Sequence, residues 1–162
     1  MSQNISKTEK AEQVVRLYAD MIYRIALQNL KNEADAQDIF QEVCLTLLTK
    51  EAPLFDDVHI KYWLIRVTIN KCKNFKKSLW QQRTEAIDDT LLCDAGDDES
   101  RVFELIYSLP QKFRNVVYLY YCEEYTVPEI AEILRENKNT VNSKLQRARK
   151  RLRKILKEGD DI

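Results

Sequence analysis

Glycine occurs at only two positions, Gly96 and Gly159, and proline at only three, Pro53, Pro110 and Pro128, in a chain of 162 residues. Tight β-turns draw on both, glycine for its positive backbone angle and proline for its fixed one. A sheet-rich fold would have too few places to turn, so the sequence predicts an all-α protein. Its length suits one ordinary domain or two small ones, each with a modest core.

The most informative stretch runs from Glu124 to Leu156. Thr126 and Glu129 stand at the spacing of a reciprocal helix cap, with Pro128 in the first turn, where a missing N–H costs little. Pro128 also biases Val127 away from helical angles, so a start one residue later, with Thr126 outside the cap, is the alternative. Ile130, Ala131, Ile133 and Leu134 give this short helix an apolar side, and Arg135 to Asn139 forms a polar break. In the next helix Val141, Leu145, Ala148, Leu152 and Ile155 or Leu156 recur at steps of three or four as one buried stripe.

From Arg135 to Lys157 there are ten Lys or Arg against one acid, Glu136, a local balance of +9 in a chain of zero net charge. A capped short helix, a turn and a longer cationic helix predict a helix-turn-helix, whose second helix enters the DNA major groove. Asn142, Ser143, Lys144, Gln146 and Arg147 lie near its leading end, where base edges are read, and Arg149, Lys150 and Arg153 suit phosphates. A basic run alone would favour a solvated helix packed on a neighbour; the helix and turn before it favour DNA.

The N-terminal half predicts three helices. The first spans Thr8 to Leu30 with Thr8 as a cap, its apolar side built from Val14 or Val15, Tyr18, Met21 or Ile22, Ile25 and Leu30. A second spans Asn32 to Lys50, capped by Asn32, with Glu33 and Asp35 in a first turn that favours negative charge. Ile39, Val43 and Leu47 point inward, widened by Phe40 and Leu48. Asp35, Asp38, Gln41, Glu42 and Leu45 point outward, so acids and an apolar residue share a surface suited to a protein partner or simply to solvent.

Glu51 to Asp57 breaks the pattern at Pro53, and a third helix follows from about Val58 to near Trp80, with Ile60, Trp63, Leu64 and Val67 inward. From Lys61 to Arg83 there are seven Lys or Arg and no acid. Arg66, Asn70, Lys73 and Lys77 fall on one face at steps of four, three and four, with Asn74 beside them. With Tyr62 and Trp63 nearby, such a track can hold backbone phosphates and receive unstacked bases. Trp63 fits the core equally well.

Thr84 to Ser100 carries seven acids, no basic residue and little that could form a core, which predicts a flexible acidic linker between two small helical domains, residues 1–83 and 101–162. Its charge could occupy a basic channel of a partner or keep the two basic domains apart. The second domain opens with Val102, Leu105, Ile106 and Leu109 on one helix, restarts at Pro110, and carries Val116, Val117, Leu119, Tyr120 and Tyr121 into the helix-turn-helix. Four helices are expected there and three in the first domain.

Cys44, Cys72, Cys93 and Cys122 form no CxxC pair, and His59 is the single histidine, so neither a zinc site nor a disulfide framework is expected. No glycine-rich phosphate loop and no nucleophile with a base occur, so no cofactor and no enzymatic activity are expected. His59 reads as structural. No apolar run approaches a membrane span, and the start MSQNISKTEK lacks a secretory core, which points to the cytoplasm.

Taken in order, these pieces resemble the extracytoplasmic-function sigma factors, the compact branch of the bacterial sigma-70 family, from about Val14 to Leu156. DAQDIFQEVCLTLL, Asp35 to Leu48, resembles the family's polymerase-binding helix. The resemblance implies that Asp35, Asp38, Gln41 and Glu42 meet the clamp helices of the largest subunit of core RNA polymerase. YWLIRVTINKCKN, Tyr62 to Asn74, resembles the segment that melts the downstream (-10) promoter element, implying contacts from Tyr62, Trp63, Arg66, Asn70, Lys73, Asn74 and Lys77. SLPQKFRNVVYLYYCEEYTVPEIAEIL with NTVNSKLQRARKRLR resembles the domain that reads the upstream (-35) element. Thr140, Asn142, Ser143, Lys144, Gln146, Arg147, Arg149, Lys150 and Arg153 would serve there.

Asn74 stands where members often carry an acid, Asn142 where they carry Arg, and Cys44 where they carry Phe. The resemblance also implies a pocket for a flipped base near Asp56 to Tyr62, an anti-sigma protein as a second partner, and a free protein that is monomeric and binds promoters poorly alone. A free-standing helix-turn-helix regulator, dimeric through its first domain, is the alternative, with a helical interaction protein behind it. The first predicts a palindromic site bound without polymerase.

Overall fold

The computed structural model describes residues 5–82 and 97–160, which form two compact units. Every regular element among the described residues is helical: α1 (Lys7–Leu30), α2 (Glu33–Thr49) and α3 (Asp57–Gln82) in the first unit, α4 (Asp97–Ser108), α5 (Gln111–Val117), a π-helical continuation of α5 (Tyr118–Cys122), α6 (Val127–Leu134) and α7 (Lys138–Asp160) in the second.

In the first unit, α1 is capped by Ser6, whose Oγ accepts from the Glu9 amide at 3.2 Å. Thr8, the expected cap, lies inside the first turn instead; Ser6 has the reciprocal spacing to Glu9 that Thr8 lacks. Lys31 turns the chain through the left-handed region at φ 53°. Asn32 then caps α2 as expected, accepting from the Asp35 amide at 2.9 Å. After the Pro53 loop, pinned by buried Leu54, the Asp56 carboxylate accepts from the Val58 and His59 amides at 3.2 and 3.1 Å and starts α3.

All three helices pack on one another. The core brings together Val14, Ile22 and Ile25 of α1, Ile39, Val43 and Leu47 of α2, and Ile60, Leu64 and Ile65 of α3. Two expectations need correction. Leu48 is 53% exposed and belongs to the outer side of α2. On α3 the buried side runs through Ile60, Leu64, Thr68 and Cys72, leaving Trp63 and Val67 half-buried. Thr68 can be buried because its hydroxyl donates to the Leu64 carbonyl at 2.6 Å, which satisfies its polar group.

In the second unit α4 starts at Asp97, so the last four residues expected in the linker are helical; the rest of the linker lies outside the described residues. Val102, expected on the inner side of α4, is exposed, whereas Ile106 and Leu109 are buried. Buried Arg114 donates from Nε to the Leu109 carbonyl at 2.9 Å, tying α5 to the end of α4 across Pro110. Phe113, Val116, Tyr118 and Leu119 pack with Ile130, Ile133, Val141, Leu145 and Ala148 to close the core.

The cap on α6 is the reciprocal one. The Glu129 amide donates to Thr126 Oγ1 at 3.3 Å, and the Thr126 amide donates to Glu129 Oε1 at 3.0 Å. The helix begins at Val127, so the later start is not adopted. It ends as Arg135 enters the left-handed region at φ 54°, with Glu136 and Arg135 amides returning to the Ala131 and Glu132 carbonyls. That is a Schellman stop built without glycine. Asn137 then accepts from the Asn139 amide at 2.8 Å and opens α7 after a three-residue turn. Among the described residues the fold is therefore all-α, with three helices in the first unit and four, one extended by a π turn, in the second.

Candidate nucleic-acid interface

The orientation of α7 is set by its apolar stripe. Val141, Leu145 and Ala148 are fully buried, which turns Thr140, Asn142, Ser143, Gln146, Arg147, Lys150 and Arg153 outward, all exposed. Amide, hydroxyl and guanidinium groups thus line the leading half of the helix, the chemistry that reads base edges and phosphates.

Two expected members of this set are directed elsewhere. Lys144 Nζ donates to both carboxylate oxygens of Glu136, at 2.8 and 3.0 Å, and the pair is only about a quarter exposed. Arg149 Nε donates to Tyr121 Oη at 2.7 Å, and its guanidinium lies 5.2 and 5.9 Å from the Tyr120 and Tyr121 ring centres. Spacing could not reveal either pairing, because each joins α7 to a different element.

On α3, Asn70, Lys73, Asn74 and Lys77 are exposed and Arg66 is half-buried, so the basic track forms one accessible face. Tyr62 does not join it. At 6% exposure it faces inward, its ring edge-on to His59 at 6.2 Å, so it is no platform for an unstacked base. Half-buried Trp63 keeps part of its ring at the surface. At the head of α3, His59 Nδ1 lies 2.6 Å from Asp56 Oδ2. That contact, with the two backbone amides, holds the Asp56 carboxyl below its ordinary pKa. His59 thereby supports the helix cap.

The outer side of α2 presents Asp38, Gln41 and Glu42, with Asp35 half-buried toward the cap. Leu45 is 61% exposed, and Leu48 follows three residues on. Asp38, Gln41, Leu45 and Leu48 therefore fall at steps of three, four and three along one stripe, acidic at one end and apolar at the other. Leu48 was hidden from the sequence reading because it also neighbours buried Leu47. Such a stripe suits a protein partner more than DNA, whose phosphates would repel it.

Among the described residues no group of His, Cys, Asp and Glu could hold a metal, and no helix is long and apolar enough to cross a membrane. Cys44, Cys72 and Cys122 form no disulfide among the described residues. Burial pushes Cys72 up to about 12 and raises Cys44. Cys93 lies outside the described residues.

The sequence matches the family model of sigma-70 region 2 over residues 14–82 and that of sigma-70, region 4 over residues 100–152. The RNA polymerase sigma factor SigV of Bacillus subtilis is 30% identical over 144 residues, covering 85% of this chain and 86% of the relative. The ECF RNA polymerase sigma factor SigW of the same organism is 28% identical over 184 residues, covering 98% and 97%. Among solved structures, the sigma factor RpoE of Bartonella quintana, in complex with the anti-sigma factor NepR, shares the fold at a TM-score of 0.70 and 17% identity, covering 90% of this chain and 96% of that one. These matches, on an all-helical fold with a helix-turn-helix, define a transcription initiation factor and not an enzyme. The chain belongs to the sigma-70 family of RNA polymerase sigma factors, in its extracytoplasmic-function branch.

Proposed function

We propose that this sigma factor docks on bacterial core RNA polymerase through α2 and places two DNA-reading faces on a promoter. The acidic–apolar stripe of Asp38, Gln41, Glu42, Leu45 and Leu48, with Asp35 at its head, meets the clamp helices of the largest subunit. Residues 1–83 supply that contact and the downstream-element face. There Arg66, Asn70, Lys73, Asn74 and Lys77 follow the opened strand, and Trp63 stacks at its edge. Residues 101–162, with α4 extending them back to Asp97, supply the upstream-element face: Thr140, Asn142, Ser143, Gln146 and Arg147 toward base edges, Lys150 and Arg153 toward phosphates.

The observation that carries this reading is the pairing of a buried Val141–Leu145–Ala148 stripe with an unbroken exposed edge from Asn142 to Gln146 and Arg147. Each basic face alone is a modest grip. Polymerase fixes their separation and raises the effective concentration of the second contact once the first forms. The protein acts in the cytoplasm, where its polymerase is, and is monomeric when free. An anti-sigma protein holds it inactive by covering the polymerase and DNA faces; the similarly folded sigma factor RpoE of Bartonella quintana is solved in complex with the anti-sigma factor NepR.

The test is a pull-down of purified bacterial core polymerase on this chain, followed by transcription from a randomised promoter library. Retention of polymerase with selected start sites is the expected result. Failure to retain polymerase, together with capture of palindromic duplexes by the chain alone, would transfer the assignment to a free-standing regulator.

A further inference from the structure

The buried stripe of Val141, Leu145 and Ala148 decides which side of α7 faces outward, but apolar burial is non-directional and leaves the fine rotation of that side open. Besides the Lys144–Glu136 pair at its leading end, α7 has a directional clamp to the element before α6. The wider π turn over Tyr118–Cys122 brings Tyr120 and Tyr121 edge-to-face at 4.9 Å. Arg149 lies over both rings and donates to the Tyr121 hydroxyl at 2.7 Å, across 28 residues of sequence. Arg149 shares its side of α7 with Asn142, Gln146 and Arg153, at steps of four or three, so a clamp on Arg149 fixes where those side chains point.

We infer that Arg149 and Tyr121 form a positioning pair that sets the rotation of α7 and thereby its base discrimination, and that Arg149 is not a phosphate ligand. Donating to one ring's hydroxyl while the charge lies over both rings suits the rigid planar fork of a guanidinium; a shorter-reaching, flexible ammonium keeps the charge without that fork. The inference rests on the upstream-element role proposed for α7. It assigns specificity to Tyr121, a residue 48% exposed and outside the helix that does the reading.

The experiment uses the full chain bound to core polymerase. Affinity for a duplex carrying the selected upstream element is compared with that for a scrambled duplex, across a salt series, with thermal melting recorded alongside. Tyr121→Phe removes only the hydroxyl and no charge. It should lower the discrimination ratio roughly fivefold, the worth of one typical hydrogen bond, with the salt slope unchanged. Arg149→Lys should lose as much although its charge is kept, and the double variant should be no worse than either single one.

Three results overturn the inference. One is wild-type discrimination in Arg149→Lys with a salt slope shallower by about 0.9 in Arg149→Ala, which would make Arg149 a phosphate ligand. Another is a lower melting temperature in Tyr121→Phe with discrimination intact, which would make the pair packing alone. A wild-type chain that does not discriminate at all would remove the upstream-element role of α7 and this inference with it.

Discussion

Glu136 holds Lys144 with both carboxylate oxygens, at 2.8 and 3.0 Å, and is the only acid from Arg135 to Lys157. The turn of the helix-turn-helix therefore restrains one cation of the helix it introduces. Glu136→Gln keeps the shape and removes the charge. Freed Lys144 should then add one phosphate contact, steepening the salt dependence of duplex binding by about 0.9 in slope and raising affinity for unrelated sequences. Fluorescence anisotropy over a salt series measures this. An unchanged slope would show that Lys144 stays off the DNA even when released.

The exposed acids of α2 carry the docking proposal. Asp38→Lys with Glu42→Lys should weaken core polymerase binding by at least about a hundredfold, because like charges brought together cost several kcal/mol. Both side chains are exposed, so the melting temperature should hold within a few degrees, as for ordinary surface substitutions. Binding at wild-type strength by a folded double variant would take these residues out of the interface.

Asp56 links the α3 cap to pH. Its folded pKa is depressed, chiefly by the hydrogen bond with His59, so its stabilising contribution is complete above the ordinary aspartate value of about 3.9. The contribution is lost as pH falls through the lower folded value. Asp56→Asn retains a capping side chain without the titration, so its urea midpoint should fall less steeply than wild type below about pH 4. In His59→Gln, an NMR titration should find the Asp56 carboxyl moved back up toward its usual range.

The cysteines should separate by reactivity. With Cys72 at about 12, only ~10⁻⁴ of it is thiolate at pH 8, and it is buried besides. Brief alkylation followed by mass spectrometry should find exposed Cys122 modified and Cys72 untouched until the chain is denatured. Rapid native labelling of Cys72 would mean that α3 opens readily.

Much of this architecture is legible in the sequence because single residues carry it. Ile39, Val43 and Leu47, like Val141, Leu145 and Ala148, keep helical spacing and are apolar, so the inner faces of α2 and α7 can be read directly. Asn32 and Thr126 announce their helices by local capping chemistry. What escapes depends on partners distant in sequence or on unpredictable satisfaction of polar groups. Thr68 is buried because its hydroxyl donates a hydrogen bond to a backbone carbonyl, which rotates the apparent inner face of α3. Arg149 looks like any other cation until the π turn places two tyrosines beside it. Leu48 looks internal beside Leu47, yet stands outside.

The left-handed corners bear on the unfolded chain. Lys31, Glu124 and Arg135 occupy positive φ, at 53°, 59° and 54°, where glycine is the usual choice. Each side chain costs about 1–2 kcal/mol of local crowding in that region. In return the disordered ensemble is narrower, because a residue with a Cβ samples fewer backbone conformations than glycine and has less entropy to surrender on folding. With only two glycines in 162 residues, this restriction extends along nearly the whole chain. The stiffer starting point from which the helices assemble recovers only part of the strain concentrated at these three charged corners.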